Sequence, residues 1–161
     1  MKRLIPGLMA ILMAPGLAAA QDAPQLPPYS DDRSTPEAVL HSYYNAIDRH
    51  EVLRAWSYFA QEQRPDYDTF KAGYTDTRSV TLLLGEAQPE GAAGTTYWSV
   101  PAAITATDAD GTAKVFAGCY TLAQPDPQIQ DTPPFAPIAI REGVLQPSDK
   151  TPEEALPKSC S

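Results

Sequence analysis

Apolar and polar positions along this chain follow first a helical and then a strand period. From Pro36 to Asp48, Val39, Leu40, Tyr43, Tyr44 and Ile47 recur at helical spacing, while Glu37, His41, Asn45 and Asp48 form the opposite stripe. The run opens with Ser34-Thr35-Pro36-Glu37, in which Thr35 can cap, Pro36 suits the first helical position and Glu37 complements the positive end of the dipole. This predicts a helix with one face in a core and the other in water. After Arg49-His50, the positions of Val52, Leu53, Ala55, Trp56 and Phe59 predict a second amphipathic helix, and Tyr67, Phe70 and Tyr74 a short third one.

From Ser79 the period shortens. Ser79 to Leu84 is rich in β-formers, and Thr95 to Thr107 alternates, with Trp98, Val100, Ala102 and Ile104 on one face. Pro101 cannot donate to a ladder, so that strand lies at an edge there or is paired across a bulge. Asp110-Gly111, before the strand Ala113 to Leu122, reads as a two-residue hairpin turn. Gln88 to Gly94 reads as a looser hairpin connection, and Gln124 to Pro137, with five prolines, as a long extended loop before a last strand, Ile138 to Gln146. Helices followed by an antiparallel meander make the fold class α+β rather than α/β.

The first residues read as an address. Met1-Lys2-Arg3 is basic, Leu4 to Leu17 mostly apolar, and Ala18-Ala19-Ala20 a small-residue cleavage pattern, so residues 1–20 are expected to be a signal peptide. Spanning a bilayer takes roughly 20 apolar residues, and Pro6, Pro15 and Gly16 interrupt this shorter run, so no stable membrane anchor is expected. Residues 21–33 are polar and proline-rich, an extended leader that docks late or stays mobile. The domain proper is then 34–146, with a tail at 147–161.

Composition sharpens this picture through charge. The 161 residues hold 20 acids against 12 bases, a formal charge of −8, and removing the leader peptide takes two bases and no acid. A nucleic-acid partner is excluded by the lack of a basic face. Export also changes the meaning of the two cysteines, because thiols pair in the periplasm or outside the cell. Cys119 and Cys160 are expected to form a disulfide that ties the tail back, adding roughly 4 kcal/mol in the chain-entropy account; two free thiols are the alternative. No Cys-x-x-Cys occurs, His41 and His50 lie far from both cysteines, and no phosphate loop or Gly-x-Ser-x-Gly is present, so no metal site and no cofactor are expected. Asp108-Ala109-Asp110-Gly111 resembles part of a calcium loop, but Ala106 and Ala117 stand where further ligands belong.

The stretch Thr35-Pro36-Glu37-Ala38-Val39-Leu40-His41-Ser42-Tyr43-Tyr44-Asn45-Ala46-Ile47-Asp48, followed by a turn and an aromatic helix, resembles the opening of nuclear transport factor 2-like domains. It also resembles their SnoaL-like and ketosteroid-isomerase-like relatives, here in an exported bacterial form. The resemblance covers residues 35 to about 146 and implies a cone, with helices packed in a strongly curved, cystatin-like antiparallel sheet that leaves a pocket. It also implies a possible homodimer through the open sheet face. Family members include enzymes, small-ligand binders and association modules, so the fold does not choose a function.

Three functions stay open at this point. Binding a small hydrophobic ligand, or a protein partner, draws on aromatic supply: Tyr44, Trp56, Phe59, Tyr74, Trp98 and Tyr120 are the candidate pocket lining, unless aromatics fill the cone completely. Acid/base catalysis in the pocket needs a carboxylate or His base beside an oxyanion donor. Tyr44 with Asp48 or Asp76 could supply these, but the strands carry few titratable groups, so no catalytic residue is assigned. Both carboxylates are expected to be solvated and to titrate ordinarily. The third reading is a structural envelope module acting as a dimer. The leading expectation is the exported, non-catalytic binding or association module.

Overall fold

The structure, a computed structural model, describes residues 26–160; the signal-peptide reading for 1–20 lies outside the described residues. The fold is α+β. Helices α1 (Pro36–Asp48), α2 (Val52–Trp56) and α3 (Tyr67–Ala72) precede strands β1 (Thr77–Leu84), β2 (Gln88–Ala92), β3 (Thr95–Asp108), β4 (Ala113–Pro125) and β5 (Ala139–Ser148), and a last short helix α4 (Pro152–Ala155) follows. The sheet has five strands in the order β1-β3-β4-β5, with β2 also on β3, all antiparallel.

Helix α1 begins and ends on local chemistry. The Thr35 hydroxyl accepts the Ala38 N–H at 3.1 Å and Pro36 occupies the first turn. At the other end His50 takes φ 58°, with its N–H on the Ile47 carbonyl and the Glu51 N–H on that of Ala46. That pair of bonds is a Schellman motif, and a left-handed non-glycine there carries a steric cost.

β3 is the spine of the sheet. Its residues Val100, Ala102 and Ile104 meet Val39, Leu40, Tyr43, Tyr44 and Ile47 of α1, together with Tyr58, Tyr120, Leu122 and Ile140, in one core. β1 and β2 lie end to end along one side of β3, facing Ala102–Asp108 and Thr95–Ser99 respectively. Between them the Gly85 N–H donates to the Pro101 carbonyl at 2.8 Å, and a Cβ on Gly85 would lie 3.0 Å from that of Pro101. The missing proline donor thus falls where the neighbouring strand is interrupted, as the sequence rule required.

Several sequence expectations need correcting. Gln88–Ala92 is a strand, and the connection to β3 is the tight pair Ala93-Gly94, both with positive φ, the geometry of a hairpin turn matched to strand twist. At the β3–β4 turn only Gly111 has positive φ; its N–H bonds the Asp108 carbonyl and the Thr112 carbonyl accepts the Asp108 N–H. That is a longer loop with a glycine bulge rather than a two-residue turn. Trp56 lies outside the main core in a partly exposed satellite cluster, its Nε1 donating to the Pro65 carbonyl at 2.8 Å with Tyr67 and Arg64 against its ring. Trp98 packs on the core but is also partly exposed.

Residues 26–33 are docked against α1 at Ser42 and at Asn45, one of the stripe residues expected to face water. Ser42, fully buried, accepts the Asp32 N–H at 2.8 Å and donates to the Asp32 carbonyl at 3.2 Å. Asn45 bonds Pro28 and Ser30, the Arg54 guanidinium reaches the Ser30 carbonyl, and the Tyr58 hydroxyl donates to Asp31 at 2.7 Å. Ser42 and Asn45 of α1 are therefore satisfied by backbone of the preceding segment rather than by solvent.

Two expected outcomes follow from this packing. A chain beginning at Ser34 loses the bonds that Ser42, Asn45 and Tyr58 make to residues 28–32, about 0.5–1.5 kcal/mol each, and chemical denaturation should show a loss of that order; an unchanged midpoint would make the docking energetically idle. His50→Gly should stabilise by about 0.5–1 kcal/mol by relieving the left-handed position, read as a rise in Tm.

Candidate functional site

The sites with most chemistry lie where α3 meets the sheet. An open cleft of about 480 Å³ is bounded on one side by Thr69, Phe70, Gly73 and Tyr74 and on the other by Thr77, Val80, Ile104, Ala106 and Phe116, with Leu145 of β5 closing the wall. Asp108 and Lys114, flanking the β3–β4 turn, form its polar rim and pair at 3.0 Å. Asp108 holds the Lys114 ammonium above its ordinary range, by hydrogen bond and charge together. The rim is thereby close to neutral, and the walls behind it are mostly apolar.

Behind this cleft four phenols sit in the core as two pairs. The Tyr43 and Tyr74 hydroxyls are 2.6 Å apart, and those of Tyr44 and Tyr120 are 2.5 Å apart. Their rings stack edge to face with Phe59 and Phe70: Tyr43 to Tyr44 at 4.8 Å, Tyr43 to Phe59 at 5.8 Å, Phe70 to Tyr74 at 5.1 Å. Burial pushes the Tyr43, Tyr44, Tyr74 and Tyr120 phenols above their usual range, so all four are neutral.

Counting protons orients the first pair. One hydrogen bond between two hydroxyls leaves one O–H over. Tyr43 is 1% exposed and has no other hydrogen-bond partner among the described residues. If Tyr74 donated to it, the Tyr43 proton would be stranded in the core at a cost of about 1–3 kcal/mol. Donation by Tyr43 avoids that cost and leaves the spare O–H on Tyr74, the less buried of the two and a residue that also lines the cleft.

The residues singled out from sequence are thus distributed. Tyr74 lines the cleft; Tyr44 and Tyr120 are a buried hydrogen-bonded pair behind it; Phe59 is core packing against Tyr43; Trp98 sits elsewhere on the inner sheet face, and Trp56 in its satellite cluster. Val80, Ile104, Ala106, Asp108, Lys114 and Leu145 were not singled out as lining. The signal for Ile104 and Ala106 was their shared parity with Trp98, Val100 and Ala102 on β3; for Asp108 and Lys114 it was their place on either side of the turn.

The two candidate bases differ in environment. Asp76 is exposed, with its backbone carbonyl holding the Ala109 N–H. Asp48, expected to be solvated, is instead partly buried at the end of α1, its carboxylate accepting the Val80 N–H at 2.5 Å. Gly85 donates towards β3, so the alternate position Val80 points its N–H off the free side of β1, and Asp48 caps it there. Burial raises the Asp48 pKa above 3.8, opposed by that bond and by His50. This corrects the expectation that the Asp48 carboxylate is solvated. Asp48 is not among the cleft-lining residues.

Set against protein-family models, curated proteins and solved structures, the chain matches none of them.

The carboxylates give a pH signature. Folded Asp48 binds its proton more tightly than the unfolded chain does, so its burial penalty operates above its raised pKa and fades as pH falls towards 3.8. Asp31 is lowered, chiefly by the Tyr58 hydrogen bond, so its stabilisation is present above 3.8 and lost as pH falls through its lower folded value. Carboxyl-resolved NMR titration should place Asp48 above and Asp31 below 3.8. Asp48→Ala should cost about 1–2 kcal/mol and Asp48→Asn, which keeps an acceptor for Val80, distinctly less; equal losses would show that the hydrogen bond is not what matters.

Proposed function

We propose that this is an exported, non-catalytic ligand-binding domain of the nuclear transport factor 2-like kind, its sheet curved as a cone around α1. Its ligand is a small, uncharged, largely apolar molecule carrying one acceptor oxygen. The observation that carries this reading is the cleft itself: apolar walls, a rim whose two charges pair with each other, and Tyr74 in the lining with its hydroxyl bonded to Tyr43. Apolar enclosure with a few placed polar groups is the general form of small-molecule sites. A charged ligand would have to break the Asp108–Lys114 pair, whereas a carbonyl or ether oxygen would meet the unassigned Tyr74 proton. Export rests on the first twenty residues and agrees with the disulfide between Cys119 and Cys160. Among the described residues no helix is long and apolar enough to cross a membrane.

One observation favours acid/base catalysis, namely the partial burial of the Asp48 carboxylate, which pushes its pKa up. Against it, the Asp48 carboxylate already holds the Val80 N–H and lies outside the cleft lining. Catalysis needs a base within hydrogen-bond reach of the proton it takes.

Displacement of N-phenylnaphthylamine tests the binding reading, with cyclododecanone and cyclododecane as competitors. Ala106→Trp should fill the cleft and abolish dye binding while the protein stays folded. Tyr74→Phe should weaken the ketone about tenfold, the equivalent of 1.4 kcal/mol, and leave the hydrocarbon unchanged. Dye binding indifferent to Ala106→Trp would sink the cleft, and equal losses for both competitors would sink the role of the Tyr74 hydroxyl.

A further inference from the structure

We propose that residues 149–160 are a strap over the outer face of the sheet, held by the Cys119–Cys160 disulfide and released when that bond is reduced. This does not depend on the ligand reading, since the strap and the cleft lie on opposite faces. Directly opposed residues of antiparallel strands share a face, so Pro101 lies beside Cys119 and Ala103 beside Ala117, away from Tyr120 and the core helices. On that outer face Pro101 and Ala103 are nonetheless fully buried. α4 lies against β3 and β4, and the disulfide fixes the end of the segment to β4.

Apart from the packing of α4 on β3 and β4, little else holds it. Thr151 and Glu154 form a capping box, and the Ala155 and Leu156 amides bond within α4, but residues 151–160 make no hydrogen bond to the sheet among the described residues. A four-residue helix has no independent stability. Beyond it Pro157 and Ser159 stand off Ser99, Thr121 and Glu142 across a cavity of about 480 Å³, so that stretch forgoes close packing. The covalent bond is what keeps the segment in place, by limiting how far a tail of this length can move from the sheet.

Release is a thiol–disulfide exchange. A thiolate of a dithiol reductant attacks the Cys160 sulfur, the S–S bond breaks, and Cys119 leaves as a thiolate and takes a proton. The second thiol of the reductant then displaces Cys160, which departs as a thiol, and the reductant becomes the disulfide. The uncovered face presents Pro101 and Ala103 next to Val144, which is already 50% exposed, giving a continuous apolar strip that the oxidised protein conceals.

The test is the alkylation rate of Cys119 in Cys160→Ser, where it is the sole thiol, with near-UV circular dichroism of the tyrosine cluster reporting the fold. With that signal unchanged, maleimide should reach Cys119 less than about tenfold more slowly than in the denatured chain. Stronger protection would overturn the proposal, because the segment would then be held by packing. Phosphine-reduced wild-type protein gives a second reading, in which Cys119 and Cys160 should react at similar rates. Loss of the tyrosine signal in both preparations would also overturn it, since the bond would then support the whole fold.

Discussion

Two adjacent tyrosines on one helix must both bury their rings and both find hydroxyl partners, and much of this protein is arranged to meet that requirement. Tyr43 and Tyr44 project from α1 into the core, and an unpaired phenol there would cost about 1–3 kcal/mol. Tyr44 reaches across to Tyr120 of β4, 76 residues away in sequence, and Tyr43 to Tyr74 beyond α3, 31 residues away. The Tyr120 ring can lie where it does because its cross-strand partner is Gly143: a Cβ there would sit 2.3 Å from the Tyr120 Cε1. Helix, central strand, edge strand and cleft wall are thus positioned by two hydrogen bonds and one absent side chain.

The edges of the sheet follow the same logic of satisfying backbone groups. On the β5 side, Tyr58 and Ala60 bond Ile140 through its N–H and carbonyl, tying the helical layer to that edge. On the β1 side, Asp48 occupies the Val80 N–H. The carboxylate that looked like a catalytic candidate thus acts as an edge cap, a role that explains its partial burial and its raised pKa together. An open ladder invites pairing with another chain, and a charged group placed on it discourages that.

What the sequence made legible was what local chemistry decides. Thr35-Pro36 and the apolar stripe gave the start of α1 and its buried face, because caps and periodicity act within one turn of helix. Pro101 announced an edge or a bulge, and the structure meets that need by a break in the neighbouring strand, between β1 and β2. Gln88-Pro89-Glu90-Gly91-Ala92 was not legible as a strand, since its composition opposes one; pairing with the solid ladder of β3 overrides propensity there. The docking of residues 26–33 was equally hidden. Its bonds join backbone carbonyls to Asn45, Arg49 and Arg54, a match that leaves no period in the chain. In the cleft, the aromatics could be listed from sequence but not sorted, because Tyr74, Tyr44 and Trp56 differ only in what the fold puts beside them.

That sorting matters most for the phenols, which look interchangeable on paper and are not in the folded chain. Where one of two bonded hydroxyls is the more deeply buried, donation from it leaves the spare proton on the less buried partner, as in Tyr43 and Tyr74. Tyr43 makes Tyr74 an oriented donor in this way, without any charge nearby to attract or withdraw the proton. Neutral donors of this kind discriminate between an oxygen-bearing ligand and its hydrocarbon counterpart, since the donor is left unpaired in the second case. They do not take protons from carbon, which requires a base, and the carboxylate at the rim is engaged by Lys114. Phenols, apolar walls and a closed ion pair are the features on which the proposed reading of recognition without proton transfer rests.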